Sequence, residues 1–290
     1  MDLPIVVGVD GSEPSLRAVD WAADEAALRG APLRLVYASL WERYEGYSAA
    51  HDLGKPDEQV MAEHVVEAAE QCARRRQPGV RVTSEVLPEE PEYGLVRESR
   101  TARLMLLGCR GRGALADALL GSVSVMVAGH AHCPVIVLRG SHDNQARSGK
   151  HGRIVLGVGD KQTGPAAVRF AAEEALLRGV ALEAVRAWQH PAHTVTVHPL
   201  ITGEPAHLRE RQAVEDLDEA LRDVPAEVQV MRRAVEGRAR DVLLAACHEA
   251  DLLVVGARHR SGRFGLQLGR VAHGVLHHAA CPVAVVPEPD

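Results

Sequence analysis

Aromatic side chains are scarce in this chain, with two phenylalanines, three tryptophans and four tyrosines among 290 residues. There is no basic excess to set beside them, since the net charge is −6 and the pI is near 6.2. A nucleic-acid partner would need both stacking faces and a cationic surface, so it is a poor expectation. The five cysteines, Cys72, Cys109, Cys133, Cys247 and Cys281, are odd in number and form no C-x-x-C pair. That pattern argues against a disulfide framework or a zinc site and fits a reducing compartment. No stretch approaches the roughly eighteen apolar residues of a membrane span. The N-terminal "MDLPIVVGVDGS" has no basic n-region and only a short apolar run, so a cytoplasmic protein without signal peptide or membrane segment is expected. Apolar residues are not lacking: at 46% of the chain they supply cores for one large domain or two of ordinary size.

The chain contains an internal repeat. Residues 15 to 38, "SLRAVDWAADEAALRGAPLRLVYA", align without a gap on residues 164 to 187, "GPAAVRFAAEEALLRGVALEAVRA", with twelve identities in twenty-four positions. The match continues in "IVVGV" over "IVLGV", "LMLLG" over "LLVVG" and "CPVIVL" over "CPVAVV". The two halves are therefore copies of one domain, placed at 1–140 and 153–290. The polar, glycine-containing stretch at 141–152 reads as a linker.

Each half alternates strand and helix. "IVVGV" is a continuous apolar run of the kind buried on both faces of a parallel sheet. From Ser15 to Arg29 the apolar residues Leu16, Val19, Ala22, Ala23, Ala26 and Ala27 share one helical face, and Gly30 stands where a helix stop is expected. Strands at 33–38, 80–87, 104–108 and 134–138 and helices at about 58–76, 91–102 and 122–131 complete the first half. The order predicts an α/β fold of two tandem doubly wound parallel-sheet domains. In such sheets ligands bind at the carboxyl ends of the strands.

At one of those ends lies "LMLLGCRGRGALADALLGSVS", residues 104 to 124, where an apolar strand runs into Gly108, Gly111 and Gly113 and then meets Gly121. If Ser122 begins a helix, Gly121 and Ser122 occupy an open helix N-terminus, where free N–H groups and the positive end of the dipole favour a phosphate. Ser122 and Ser124 can donate hydroxyl hydrogens there, and Arg110 or Arg112 can add charge. The alternative is that the glycines only form a tight turn and Ser122 only caps its helix. Asp10 is open in the same way: its carboxylate can point into the crevice, or it can serve as a turn residue before the helix.

The spacing Gly108, Gly111, Gly121 and Ser122 resembles the nucleotide loop of the universal stress protein family. The N-terminal "IVVGVDGSEPS", the helix ending in "LRG" and the closing "HCPVIVL" are similar to that family too, and the duplication resembles its tandem actinobacterial members. The resemblance implies Rossmann-like, adenine nucleotide alpha hydrolase-like domains that bind ATP, with or without magnesium. It implies that Asp10 contacts the adenosine and that Ala38 lines the adenine pocket. Gly108, Gly111, Gly121, Ser122 and Val123 would surround the ribose and phosphates, with Arg112 and Ser124 close by. The last strands, "PVIVL" and "PVAVV", are apolar and would be an aggregation liability if left bare, so they are expected to pair within the chain. Association of whole chains into homodimers is expected by analogy.

No catalytic group is expected. The loop lacks the lysine of G-x-x-x-x-G-K-[ST], and no motif places an acid to hold magnesium. A regulatory or sensory stress-response role fits better than turnover, and a slow ATP hydrolase or a nucleotide-free interaction module are the alternatives. Cys109 reads as a small filler. The histidine groups His190, His193, His198 and His273, His277, His278 lack the partners of a metal site and read as solvated. In the second half the loop is "GARHRSGRFGLQLGRVAHG". His259 replaces the second glycine, Arg270 replaces the serine and Gly159 replaces Asp10, so only the first half carries an intact loop; the alternative is that Arg270, whose charge attracts phosphate, rebuilds a different anion site.

Overall fold

A computed structural model describes residues 3–40, 57–109, 120–139, 151–159, 164–189, 206–258 and 268–288. The first half runs β1 (Ile5–Gly8), α1 (Glu13–Arg29), β2 (Leu33–Ala38), α2 (Asp57–Arg76), β3 (Val82–Leu87), α3 (Pro91–Glu98), a 3-10 turn (Ser99–Thr101), β4 (Leu104–Gly108), α4 (Ser122–His130) and β5 (Val135–Leu138). The second half repeats the order as β6 (Arg153–Gly157), α5 (Pro165–Arg178), β7 (Ala181–Trp188), α6 (Ala206–Ala220), β8 (Val230–Glu236), α7 (Ala239–Ala246), a 3-10 turn (Cys247–Glu249), β9 (Leu252–Arg258), α8 (Arg270–His278) and β10 (Val283–Glu288). Most of the linker expected at 141–152 lies outside the described residues.

All ten strands belong to one sheet, in the order β3-β2-β1-β4-β5-β10-β9-β6-β7-β8. Within each half the pairing is parallel, and the chain reverses its winding between β1 and β4 and again between β6 and β9. The halves meet at β5 and β10, the one antiparallel pair among the described residues, where Val137 faces Val283, Ile136 faces Ala284 and Val135 faces Val285. This is the intramolecular pairing that the two apolar last strands call for. Because that pair is antiparallel, the strands of the two halves run in opposite directions, and their carboxyl ends lie at opposite edges of the sheet.

Side chains alternate across each strand and fill two cores. Ile5, Val7, Leu104, Leu106 and Ile136 pack with α1 and α2 on one face, and that core continues into Ile154, Leu156 and the apolar sides of α5 and α6. Val6, Met105, Leu107, Val135 and Val137 pack with α3 and α4 on the other face and continue into Val283, Val285 and α8. Neither core is interrupted at the boundary between the halves. Among the described residues no helix is long and apolar enough to cross a membrane.

Element ends follow local chemistry. Helix α1 starts two residues before the periodicity suggests, because Ser12 adopts an extended backbone and its hydroxyl oxygen accepts from the Ser15 N–H at 3.3 Å. It ends at Gly30, whose φ of 60° lets its N–H reach back to the last carbonyls, and Gly179 ends α5 the same way at φ 64°. The helix expected over 91–102 stops at Glu98: the Ser99 hydroxyl donates to the Val96 carbonyl at 2.6 Å and accepts the His132 N–H at 2.9 Å, and the chain tightens into a 3-10 turn.

Ile136 and Ala284 are fully buried register partners at the junction. Replacing Ile136 by Ala should lower the unfolding free energy by about 2–5 kcal/mol. Because both cores cross the boundary, urea titration should show the loss as one transition shared by both halves. Two resolved transitions, only one of them shifted, would contradict a single cooperative unit.

Candidate functional site

In the first half, the crevice at the winding reversal is built from the ends of β1, β2 and β4 and the starts of α3 and α4. Asp10 follows β1, and its carboxylate accepts the Ser12 N–H at 3.0 Å and the Ser12 hydroxyl at 2.6 Å. Ser15 completes the turn by donating its hydroxyl to the Ser12 carbonyl at 2.9 Å. Of the two roles open to Asp10, the turn role before α1 is thus in place, and half-buried Asp10 also stands at the crevice. Ala38 ends β2 and forms a wall: a methyl group built on Gly94 of α3 would lie 3.6 Å from the Ala38 Cβ.

The Gly108 position has a physical cause that spacing alone does not show. A Cβ there would stand 2.7 to 2.9 Å from the backbone atoms of Pro14 and Ser15. The first turn of α1 passes directly over the end of β4, and only glycine lets it do so. The Gly108 carbonyl accepts the hydroxyl of buried Ser124 at 2.8 Å. Ser124 therefore ties α4 to β4. The Gly121 N–H donates to the Cys109 carbonyl at 2.9 Å and closes the base of the loop between them. Gly111 and Arg112, like Arg110 and Gly113, lie outside the described residues.

Gly121 is the N-cap of α4 and, having no side chain, makes no side-chain capping bond. The first-turn N–H groups of Ser122, Val123 and Ser124 have no partner within their own nine-residue helix. The Ser122 hydroxyl points to the Glu92 carboxylate at 3.4 Å. Sequence reading did not single out Glu92. Its only local signal is that of an acidic residue in the first turn of a helix after Pro91, which ordinary helix-dipole preference already explains.

The equivalent crevice of the second half is filled differently. Helix α5 begins with Pro165 and has 14 residues against 17 in α1. Among the described residues its first turn approaches Gly256, the counterpart of Gly108, at ordinary contact distance: a Cβ there would lie 3.6 Å from the Ala167 Cβ. Glu288, at the end of β10, sends its carboxylate across: the N–H groups of Ala166 and Ala167 donate to it at 3.3 and 3.2 Å. A Cβ on Gly256 would meet one Glu288 oxygen at 3.5 Å. What remains is a cavity of about 180 Å³ lined by Gly157, Arg186, Leu243, Gly256, Val271 and Glu288 among others. Gly269 caps α8 and Arg270 opens it, while His259 lies outside the described residues.

Two of the three histidines near the end of the chain are half-buried rather than solvated. Half-buried His273 and His277 stack with ring centroids 4.4 Å apart, while His278 is exposed. Burial, then the neighbouring His273, Arg139 and His278, holds His277 below the ordinary imidazole range. His190, His193 and His198 lie outside the described residues. Among the described residues no group of three or more His, Cys, Asp and Glu side chains is placed to hold a metal ion.

Comparison with known proteins agrees with this architecture. The sequence pattern of the universal stress protein family matches residues 3–139 and again 150–287. The chain belongs to the universal stress protein family. A universal stress protein of Mycobacterium tuberculosis is 34% identical, with 97% of this chain and 96% of the relative covered. Another from the same species is 32% identical over 100% of this chain and 96% of its own length. Among solved structures, a universal stress protein from Archaeoglobus fulgidus superposes with a TM-score of 0.69 at 16% identity, covering 99% of this chain and 98% of that one. That likeness shows the tandem Rossmann-like fold, and the two matches of the family pattern make both halves universal stress protein domains.

The two domains differ in what occupies the space above the glycine, and substitution should expose the difference. Gly108→Ala drives a methyl group into the α1 backbone, whereas among the described residues Gly256→Ala meets neighbours at ordinary contact distance, 3.5 and 3.6 Å. The first change should cost about 1–3 kcal/mol more than the second in urea unfolding. Equal losses would show that the backbone of α1 does not constrain the site.

Proposed function

We propose that this universal stress protein binds ATP in its N-terminal domain, one molecule per chain, and acts as a nucleotide-responsive regulatory protein of stress responses. The observation that carries the reading is the N-terminus of α4 at Gly121–Ser124, which has no side-chain cap and is set at the winding reversal beside Asp10 and Ala38. The N–H groups of a helix start and its positive dipole end suit a polyphosphate. Ala38 and the half-buried Asp10 suit the adenosine end. Gly111 and Arg112 belong to the loop that would cover the phosphates. Glu92 beside Ser122 disfavours a bare triphosphate by like-charge repulsion and so favours the magnesium complex.

The second domain is the weaker partner in this reading. Its cavity of about 180 Å³ is below the roughly 300 Å³ at which small-molecule sites begin. Its α5 N-terminus already holds the Glu288 carboxylate. Arg270 stands where the hydroxyl of Ser122 would be needed.

Calorimetry with ATP and magnesium on the whole chain tests both parts. One site per chain, lost in Gly121→Val and weakened in Asp10→Ala, supports the reading. Two sites of similar affinity would refute the asymmetry, and no heat at any concentration would refute nucleotide binding itself.

A further inference from the structure

Where helices α1 and α5 meet across the boundary, buried charge is balanced. Glu25 and Glu174 are 0% exposed, Arg29 is 2% and Arg178 is 4%. Arg29 donates to Glu25 on its own helix at 2.6 Å and to Glu174 on the other. Arg178 donates to Glu174 on its own helix and to Glu25 on the other at 2.6 Å. The guanidinium of Arg29 also lies over Phe170 and that of Arg178 over Trp21, at 5.8 and 5.2 Å from the ring centroids. Two carboxylates thus meet two guanidiniums, and the exposed Glu173 carboxylate has Arg103 as its own partner at 2.7 Å.

The mouth of the second-domain crevice is not balanced in this way. Arg238 is the N-cap of α7, Arg240 is the second residue of that helix, and Arg270 is the first residue of α8. All three are exposed. Ala239, between the first two, and Val271, next to the third, line the cavity of about 180 Å³, so the three arginines stand around one opening. The matching positions of the first domain are Glu90, the N-cap of α3, Glu92 and Ser122. Two acids and a hydroxyl are thus exchanged for three guanidiniums. Asp241 offsets them in part by accepting the Arg240 Nε–H at 3.0 Å. Among the described residues no acidic side chain pairs with Arg238 or Arg270.

The Arg240 stem has a seat of its own. A Cβ on buried Gly274 of α8 would lie 2.6 and 3.0 Å from the Arg240 Cδ and Cγ, so that side chain lies across the helix. Helix α4 has Met126 at the matching position, and a glycine inside a helix costs stability that a residue with a side chain would not. Gly274 follows Arg270 by four residues, which puts the Arg240 stem and Arg270 on one face of α8. We propose that Arg238, Arg240 and Arg270 form a site at the mouth of the second-domain crevice for a di- or triphosphate anion that carries no metal ion. Guanidinium forks match phosphate oxygens in pairs. Three of them supply from the protein the positive charge that magnesium supplies elsewhere, whereas at the first-domain crevice Glu92 stands in the place of Arg240. The cavity beneath is below the size of small-molecule sites, and the Ala166 and Ala167 N–H groups at its inner end already hold the Glu288 carboxylate. The anion is therefore taken at the rim, without a nucleoside buried below it.

The test is calorimetry of the whole chain with pyrophosphate in EDTA, a titration that holds neither adenosine nor magnesium and so is independent of nucleotide binding in the first domain. One pyrophosphate per chain should bind to the wild type and, with the same affinity, to Gly121→Val. Arg270→Ser, which restores the first-domain residue, and Arg238→Gln should each weaken binding about tenfold or more, the size of one charge-assisted hydrogen bond. Magnesium in place of EDTA should weaken binding to the wild type. The proposal is overturned if the wild type gives no heat, if Arg270→Ser and Arg238→Gln bind as the wild type does, or if sulfate binds as tightly as pyrophosphate. Should Gly121→Val fail to fold, the two arginine variants decide, because they change only exposed side chains of the second domain.

Discussion

The antiparallel pairing of β5 with β10 is the constraint from which the rest of the architecture follows. Each domain alone would end its sheet in a strand of Val, Ile and Leu with an unpaired row of backbone donors and acceptors. Such an edge recruits other chains unless it is covered. Pairing the two last strands satisfies both edges at once and joins five strands to five. It also reverses the direction of the second domain, which sends the two crevices to opposite edges of the sheet. Each crevice must therefore be completed by its own domain.

The same pairing explains why charged residues tolerate burial between α1 and α5. A two-fold relation brings each surface patch against its own copy, so a patch can be self-complementary only if every charge meets its opposite across the axis. A glutamate followed four residues later by an arginine has that property. Within a helix the two already pair, and across the axis each glutamate meets the other helix's arginine. Trp21 and Phe170, equivalent in the repeat, supply aromatic faces for the two guanidiniums. Such a cluster adds little net stability over an apolar contact, but removing any one member leaves a buried charge exposed to its full desolvation cost. Its effect is to fix one register of α1 against α5, which the apolar faces alone would specify less sharply.

Much of this was legible in the residues. The alternation of apolar runs and helical periodicity marked the strands and helices, and Gly30 marked a helix end, because these signals are local. The repeat "EAALRG" and "EALLRG" recorded the charged pairs, but not that the two copies converge, since their meeting depends on residues about 150 positions apart. Gly108 was marked as special for the sake of a bound anion, whereas its immediate cause is the backbone of α1 passing overhead. Glu92 and Glu288 gave no usable signal, because an isolated acidic residue in a helix turn or at the end of a chain is ordinary on a protein surface. Their placement comes only from the winding of the sheet.

The divergence between the two crevices shows how little of a frame needs to change to alter its use. Both domains keep a glycine at the end of the strand beyond the winding reversal, both keep a glycine cap on the helix that follows, and both have the same strand order. In the first, α1 is long enough to lay its own first turn over Gly108, with Ser12 and Asp10 meeting the needs of that turn. Nothing from β5 enters the crevice among the described residues. In the second, α5 starts later and leaves two N–H groups to be satisfied, and β10 runs on far enough to bring Glu288 to them. A buried helix start must find an acceptor, so shortening the helix and lengthening the strand are one coupled change. Its by-product is a carboxylate lodged where the crevice would otherwise remain open to an anion.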